Sequence, residues 1–143
     1  KNTTSMIGVR TSLNSEYLTN YWADGLIIAT PTGSTGYSLS CNGPVISPDS
    51  KNLIITPIAP HNLNARPMVI SDDTNIQLTI DSREKDFLIS LDSRITSVSK
   101  NTEIFIKKAS FTIKSIIPNN QSFLQTLRSK LLWGEDTRNE TNL

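Results

Sequence analysis

The residues best able to do chemistry lie together in Asp24–Ser40, which reads DGLIIATPTGSTGYSLS. Asp24 is a carboxylate beside a glycine, and an ionised aspartate can accept hydrogen bonds from two hydroxyls at once. Thr32, Ser34, Thr35, Ser38 and Ser40 then crowd hydroxyls around Gly33 and Gly36, with Tyr37 as the one large ring. Side chains this small let a flat polar ligand approach the backbone. Between the acid and the hydroxyls, Leu26-Ile27-Ile28-Ala29 is short and apolar, which reads as a buried strand. Pro31 must end that strand, because proline has no N–H for a ladder. Thr32 is placed to cap a short helix through Tyr37 to Ser40, whose first N–H groups would be unpaired. This order of strand, turn and helix makes a site for a polar ligand, a nucleotide by preference.

Clusters of glycine, serine and threonine are also ordinary turns, so the spacing matters. It matches neither G-x-x-x-x-G-K-S/T nor G-x-G-x-x-G, and it is not the G-x-S-x-G of a hydrolase elbow. The residues alone leave the ligand open. His61 is the single histidine and Cys41 the single cysteine. No zinc set can be assembled from them, and no serine is spaced beside His61 as a triad motif would have it. His61 therefore reads as a histidine supporting its loop, and Cys41 as a buried structural thiol.

The elements that must carry these residues follow from patterning. A chain of 143 residues is one domain's worth and can bury a sizeable core. A formal charge of +1 leaves no broad footprint for nucleic acid or a membrane surface. One cysteine cannot form an internal disulfide, so a cytoplasmic protein is expected. No apolar run approaches the ~18–20 residues that span a bilayer, and no signal peptide opens the chain. The start at Lys1 rather than Met suggests a fragment. Ser5–Leu13 and Tyr17–Trp22 read as a hairpin turning at Leu13-Asn14-Ser15-Glu16, and Asn52–Ile58 as a further strand. From Arg66 the period becomes two. Val69 opens the series, followed by Ile76, Leu78 and Ile80, then Phe87, Ile89 and Leu91, then Ile104 and Ile106, then Phe111 and Ile113. Turn residues separate these runs and no helix intervenes, which predicts a mainly β protein built as an antiparallel sandwich. Phe123, Leu124, Leu127 and Leu131 recur at helical spacing, predicting a C-terminal helix lying across the sandwich and stopped near Gly134. The domain is expected to run over 1–134, with 135–143 a disordered polar tail.

Asp24-Gly25-Leu26 followed by Thr30–Ser40 resembles the NAD-binding signature of the NAD kinase family. Pro60–Ile70 resembles the family's second stretch, Asp92-Ser93-Arg94 falls where it has another acidic motif, and Leu124–Trp133 resembles its C-terminal helix. The resemblance implies transfer of the ATP γ-phosphoryl to the 2′-hydroxyl of the adenosine ribose of NAD, with Mg²⁺, to give NADP. It also implies two domains, the first holding a Gly-Gly-Asp-Gly loop and an Asn-Glu pair. Neither precedes Asp24, so the chain resembles the C-terminal domain alone, with no catalytic residue of its own and no activity in isolation. Carried over by position, Asp24 would bond the nicotinamide ribose or amide, and Thr32 and Thr35 would lie near the adenine and its ribose. Gly36, Tyr37, Ser38, Leu39 and Ser40 would approach the nicotinamide side, with Asp92 and Arg94 as further contacts. The implied partners are NAD and NADP, the N-terminal domain, and further copies in a dimer or tetramer, with neither nucleic acid nor membrane. Two departures stand out: Gly36 where many members have alanine, and Trp22 where many have an arginine suited to a 2′-phosphate. Arg94, or a basic residue of another subunit, would then have to supply that charge. A non-catalytic ligand-binding or oligomerisation module and the C-terminal sandwich of a lipid kinase are the alternatives. The Thr-Pro-Thr-Gly-Ser-Thr run followed by Tyr37 favours the dinucleotide.

Overall fold

A computed structural model describes residues 6–116 and 122–134. The hairpin forms as β1 (Ile7–Leu13) and β2 (Glu16–Ala23), in antiparallel register from Ile7↔Ala23 to Leu13↔Glu16 with an irregularity at Thr11/Ser12. Asn14 and Ser15 make the two-residue turn with φ of 49° and 70°, the left-handed pair that matches the twist of a hairpin. The turn is pinned from outside, since Asn14 N–H donates to Asn75 O and Asn75 N–H donates to Asn14 Oδ1, both at 2.9 Å. That tie delivers the chain into β6 (Ile76–Asp81), which pairs with the other side of β1, and β9 (Glu103–Ile106) completes the sheet β2-β1-β6-β9.

A second antiparallel sheet has the order β3-β4-β5, from Gly25–Ala29, Asn52–Ile58 and Met68–Ser71. The two sheets share one core: Val9, Tyr21, Ile76, Leu78 and Ile80 meet Ile55 and Ile70. Each such side chain contributes on the order of 1.5–3 kcal/mol when fully removed from water. The antiparallel sandwich expected from the alternating faces is therefore the fold. Alternation fails in β4, where Ile54, Ile55, Thr56 and Pro57 are buried in succession. It is the middle strand of its sheet, covered by the shared core on the Ile55 side and by the segment after β3 on the Thr56 side. Pro57 lies beyond the β4–β5 pairing, which ends at Ile55↔Met68, so one side of the strand is open there for a residue with no donor.

β7 (Asp86–Leu91) and β8 (Arg94–Ser99) form a two-stranded sheet by themselves. β8 went unmarked in the sequence, because only Ile95 and Val98 interrupt its hydroxyl residues. Its partner strand makes it a strand, as expected when β propensity reflects cross-strand neighbours more than backbone preference. The converse holds for Phe111 and Ile113, expected as a strand but lying in none. The chain divides there into two compact units, Lys1–Ala109 and Ser110–Leu143. In the second, the predicted helix forms as α2 (Phe123–Leu131), with Ser122 Oγ accepting from Gln125 N–H at 3.1 Å as an N-cap should. Leu132, at φ 51° and ψ 42°, takes the left-handed stop two residues before Gly134. Among the described residues no helix is long and apolar enough to cross a membrane. The expected tail over 135–143 lies outside the described residues.

Candidate functional site

Asp24 is the single residue between β2, an edge of the first sheet, and β3, an edge of the second. Its backbone N–H donates to Ile58 O at 3.0 Å, while its side chain is exposed and bonds to no described residue. Gly25 must follow it closely packed: a Cβ there would stand 3.0 Å from Ile58 Cδ1. The second sequence motif arrives beside this acid. His61 N–H donates to Trp22 O at 2.8 Å, and Arg66 Nη1 donates to the carbonyls of Leu63 and Ala65 at 2.6 and 2.9 Å. Arg66 thus clamps its own loop, and His61 sits exposed, two residues from Asp24 along that tie.

After β3 the chain makes two short helices in place of the single one expected. Thr32–Thr35 is a 3-10 turn and α1 is Tyr37–Ser40, with Gly36 between them at φ −92° and ψ −138°. Thr32 does not cap. Thr30 Oγ1 accepts from Gly33 N–H at 3.2 Å instead, because the 3-10 turn begins at Thr32 itself, with Pro31 in the cap position, one residue earlier than the pattern suggested. The end of α1 is closed more firmly. Gly43 N–H donates to Ser38 O at 2.8 Å and Asn42 N–H to Leu39 O at 3.1 Å, with Asn42 left-handed at φ 64°. These two bonds are the Schellman closure of a helix. Half-buried Cys41 occupies the cap position just before it.

The hydroxyls sort by direction. Ser34 and Ser38, one helical turn apart, are 0% and 1% exposed. Ser34 Oγ accepts from Ile46 N–H at 3.1 Å, and Ser38 Oγ is hydrogen-bonded to Thr56 Oγ1 at 2.9 Å. Thr32, Gly36, Tyr37 and Ser40 are exposed, with Thr35 and Leu39 half-buried beside them. Tyr37 is 63% exposed, an unusual position for a ring unless something packs on it. Asp24, Thr32, Thr35, Gly36, Tyr37, Leu39 and Ser40 therefore lie on one short stretch, while Ser38 turns inward. Asp92 and Arg94 stand apart on the β7–β8 hairpin. Asp92 is left-handed at φ 52° in its turn, with Ser90 Oγ donating to Asp92 O at 2.9 Å. Neither makes a hydrogen bond or ion pair with the 24–40 segment among the described residues.

The contacts that sequence reasoning missed are Thr30, Asn42, Gly43 and Thr56. An Asn-Gly pair just past a helix is a legible stop signal, but nothing in the sequence marks Thr56. Two open clefts, of about 640 and 630 Å³, lie elsewhere: one by Arg10, Asn20 and Glu103, the other by Tyr21, Asn62 and Arg66. The outward hydroxyls instead form an open, polar surface.

The structure is thus a mainly β sandwich that presents a hydroxyl-rich segment, anchored by its inward serines, next to an exposed acid. The family model of the ATP-NAD kinase C-terminal domain matches residues 1–118. The chain is 66% identical to an NAD kinase of Christiangramia forsetii and 63% identical to one of Flavobacterium johnsoniae, over 97% of its own length in both cases. It spans about half the length of these relatives, 47% of each. Among solved structures, an NAD kinase from Archaeoglobus fulgidus in complex with ATP superposes with a TM-score of 0.68 and 32% identity, over 78% of this chain and 43% of that one. Yeast NADH kinase complexed with NADH shares the fold, with a TM-score of 0.75 and 23% identity over 94% and 42% of the two chains. The chain belongs to the ATP-NAD kinase C-terminal domain family.

Proposed function

We propose that this chain is the NAD-binding half of a cytoplasmic kinase that phosphorylates the 2′-hydroxyl of the adenosine ribose of NAD with ATP, giving NADP. The observation that carries the reading is the outward set Asp24, Thr32, Thr35, Gly36, Tyr37 and Ser40 on a segment whose inward hydroxyls are already bonded. Asp24 accepts from ribose hydroxyls or the carboxamide, Thr32 and Thr35 face the adenosine end, and Tyr37 offers its ring to a base. Asp92 and Arg94 extend the same assignment, with Arg94, or a basic residue of another subunit, supplying positive charge for the product's 2′-phosphate. In this reading the triphosphate and its Mg²⁺ are held by an N-terminal domain. Phosphoryl transfer depends on positioning and charge neutralisation around that triphosphate. A coupled assay with ATP, Mg²⁺ and NAD should thus give NADP from the full-length protein and none from residues 1–143. Turnover by the 143-residue chain would sink the division of labour. A silent full-length protein would sink the kinase.

We also propose self-association. Among the described residues, β2, β9, β3 and β5 end the two larger sheets with one side unpaired, and open edges pair readily. Leu88 and Phe105 are 73% and 69% exposed on outer faces, where apolar patches mark interfaces. Light scattering at micromolar concentration is expected to give at least twice the mass of one chain, in a dimer or tetramer. A monomer at that concentration refutes it.

A further inference from the structure

Nothing in the 24–40 motif explains how a segment of two four-residue helices, with few bulky side chains, keeps one conformation. The answer lies on β4. Thr56 is 0% exposed in the middle strand of the second sheet, and its hydroxyl meets Ser38 Oγ at 2.9 Å. Two hydroxyls buried together satisfy each other, whereas either one alone would be a buried polar group without a partner. Gly43 closes the other side. A Cβ at that position would lie 2.2 Å from Ser38 Oγ and 2.8 Å from Ser38 O, so the returning chain packs directly on Ser38. Ser34, one turn earlier, is tied to Ile46 N–H.

We propose that Thr56 is a positioning residue for the dinucleotide site, holding Ser38 so that Gly36, Tyr37 and Ser40 face the ligand. The inference rests on the function proposed above, and it moves Ser38 from ligand contact to anchor. Position 56 acts through Ser38 and touches no substrate. Valine at 56 keeps the volume and removes the hydroxyl, leaving Ser38 Oγ to seek water or turn out. The helix then samples other positions, and affinity falls by the fraction of molecules that remain competent.

The test uses the full-length kinase with Thr56→Val, Thr56→Ser, Ser38→Ala and the double variant Ser38→Ala/Thr56→Val. Thr56→Val and Ser38→Ala should each raise KM for NAD about tenfold while KM for ATP stays within twofold. Thr56→Ser, which keeps the hydroxyl, should stay within about twofold of wild type for both substrates. The double variant should be no worse than either single one, since the same bond is lost. Amide hydrogen exchange over residues 36–43 should quicken in Thr56→Val and not in Thr56→Ser. KM values for NAD and ATP that rise together, or a serine variant as impaired as valine, would overturn the proposal. If the wild-type protein does not turn over NAD, the kinase reading has failed by itself. The exchange measurement then decides alone, and unchanged protection in Thr56→Val overturns the lock.

Discussion

Replacing Asp24 with alanine in the full-length protein is expected, on the function proposed above, to weaken NAD binding by one to two decades and leave ATP binding within twofold. The carboxylate is exposed, ends no ion pair and accepts no hydrogen bond from a described residue. Folding therefore does not depend on it, and a surface change of this kind moves stability by no more than about 0.5 kcal/mol. Its backbone bond to Ile58 O survives in alanine, so the crossing between the two sheets is kept. On the proposed function, the loss is a charge-assisted pair of hydrogen bonds to ligand hydroxyls, worth about 1.5–3 kcal/mol. At 1.4 kcal/mol per decade this is one to two decades in Kd. Calorimetric titration with each ligand checks it. Equal loss of NAD and ATP affinity would show that Asp24 holds the fold.

The largest loss of stability is expected from Gly43→Ala. Overpacking a filled site costs about 1–3 kcal/mol and occasionally more. Position 43 belongs at the upper end, because two of the three atoms nearest the new Cβ are backbone: Ser38 O at 2.8 Å and Ser38 C at 3.1 Å. Backbone cannot step aside as a side chain can. The same shift would break the Gly43 N–H bond to Ser38 O, reopening the end of α1. A fall in the urea midpoint equivalent to about 3 kcal/mol, with an unchanged slope, is the expected reading. Adding Ser38→Ala removes the 2.2 Å collision with Oγ but not the collision with the carbonyl, so rescue should be partial. Full rescue would mean that the hydroxyl alone sets the limit.

Much of this protein was legible in its residues. The alternating faces of Ile76, Leu78 and Ile80 determined a half-buried strand, since a period of two leaves one face dry. Leu26–Ala29 broken by Pro31 determined a strand with an end, because proline lacks the donor. Asp24–Ser40, together with Pro60–Ile70, Asp92-Ser93-Arg94 and Leu124–Trp133, resembled the NAD kinase family, and the family model over residues 1–118 bears the resemblance out. Tertiary structure decided what depends on a neighbour distant in sequence. β8 is a strand because β7 lies beside it, while Phe111 and Ile113, with the better alternation, are in no strand. Thr30 took the capping role from Thr32 because the turn tightened to 3-10 geometry one residue early. Among the hydroxyls of one motif, Ser34 and Ser38 face inward and Thr32 and Ser40 outward, and no local propensity distinguishes them. The packing of β4 beneath the loop does, because a buried hydroxyl needs a partner and Thr56, 18 residues away, supplies it.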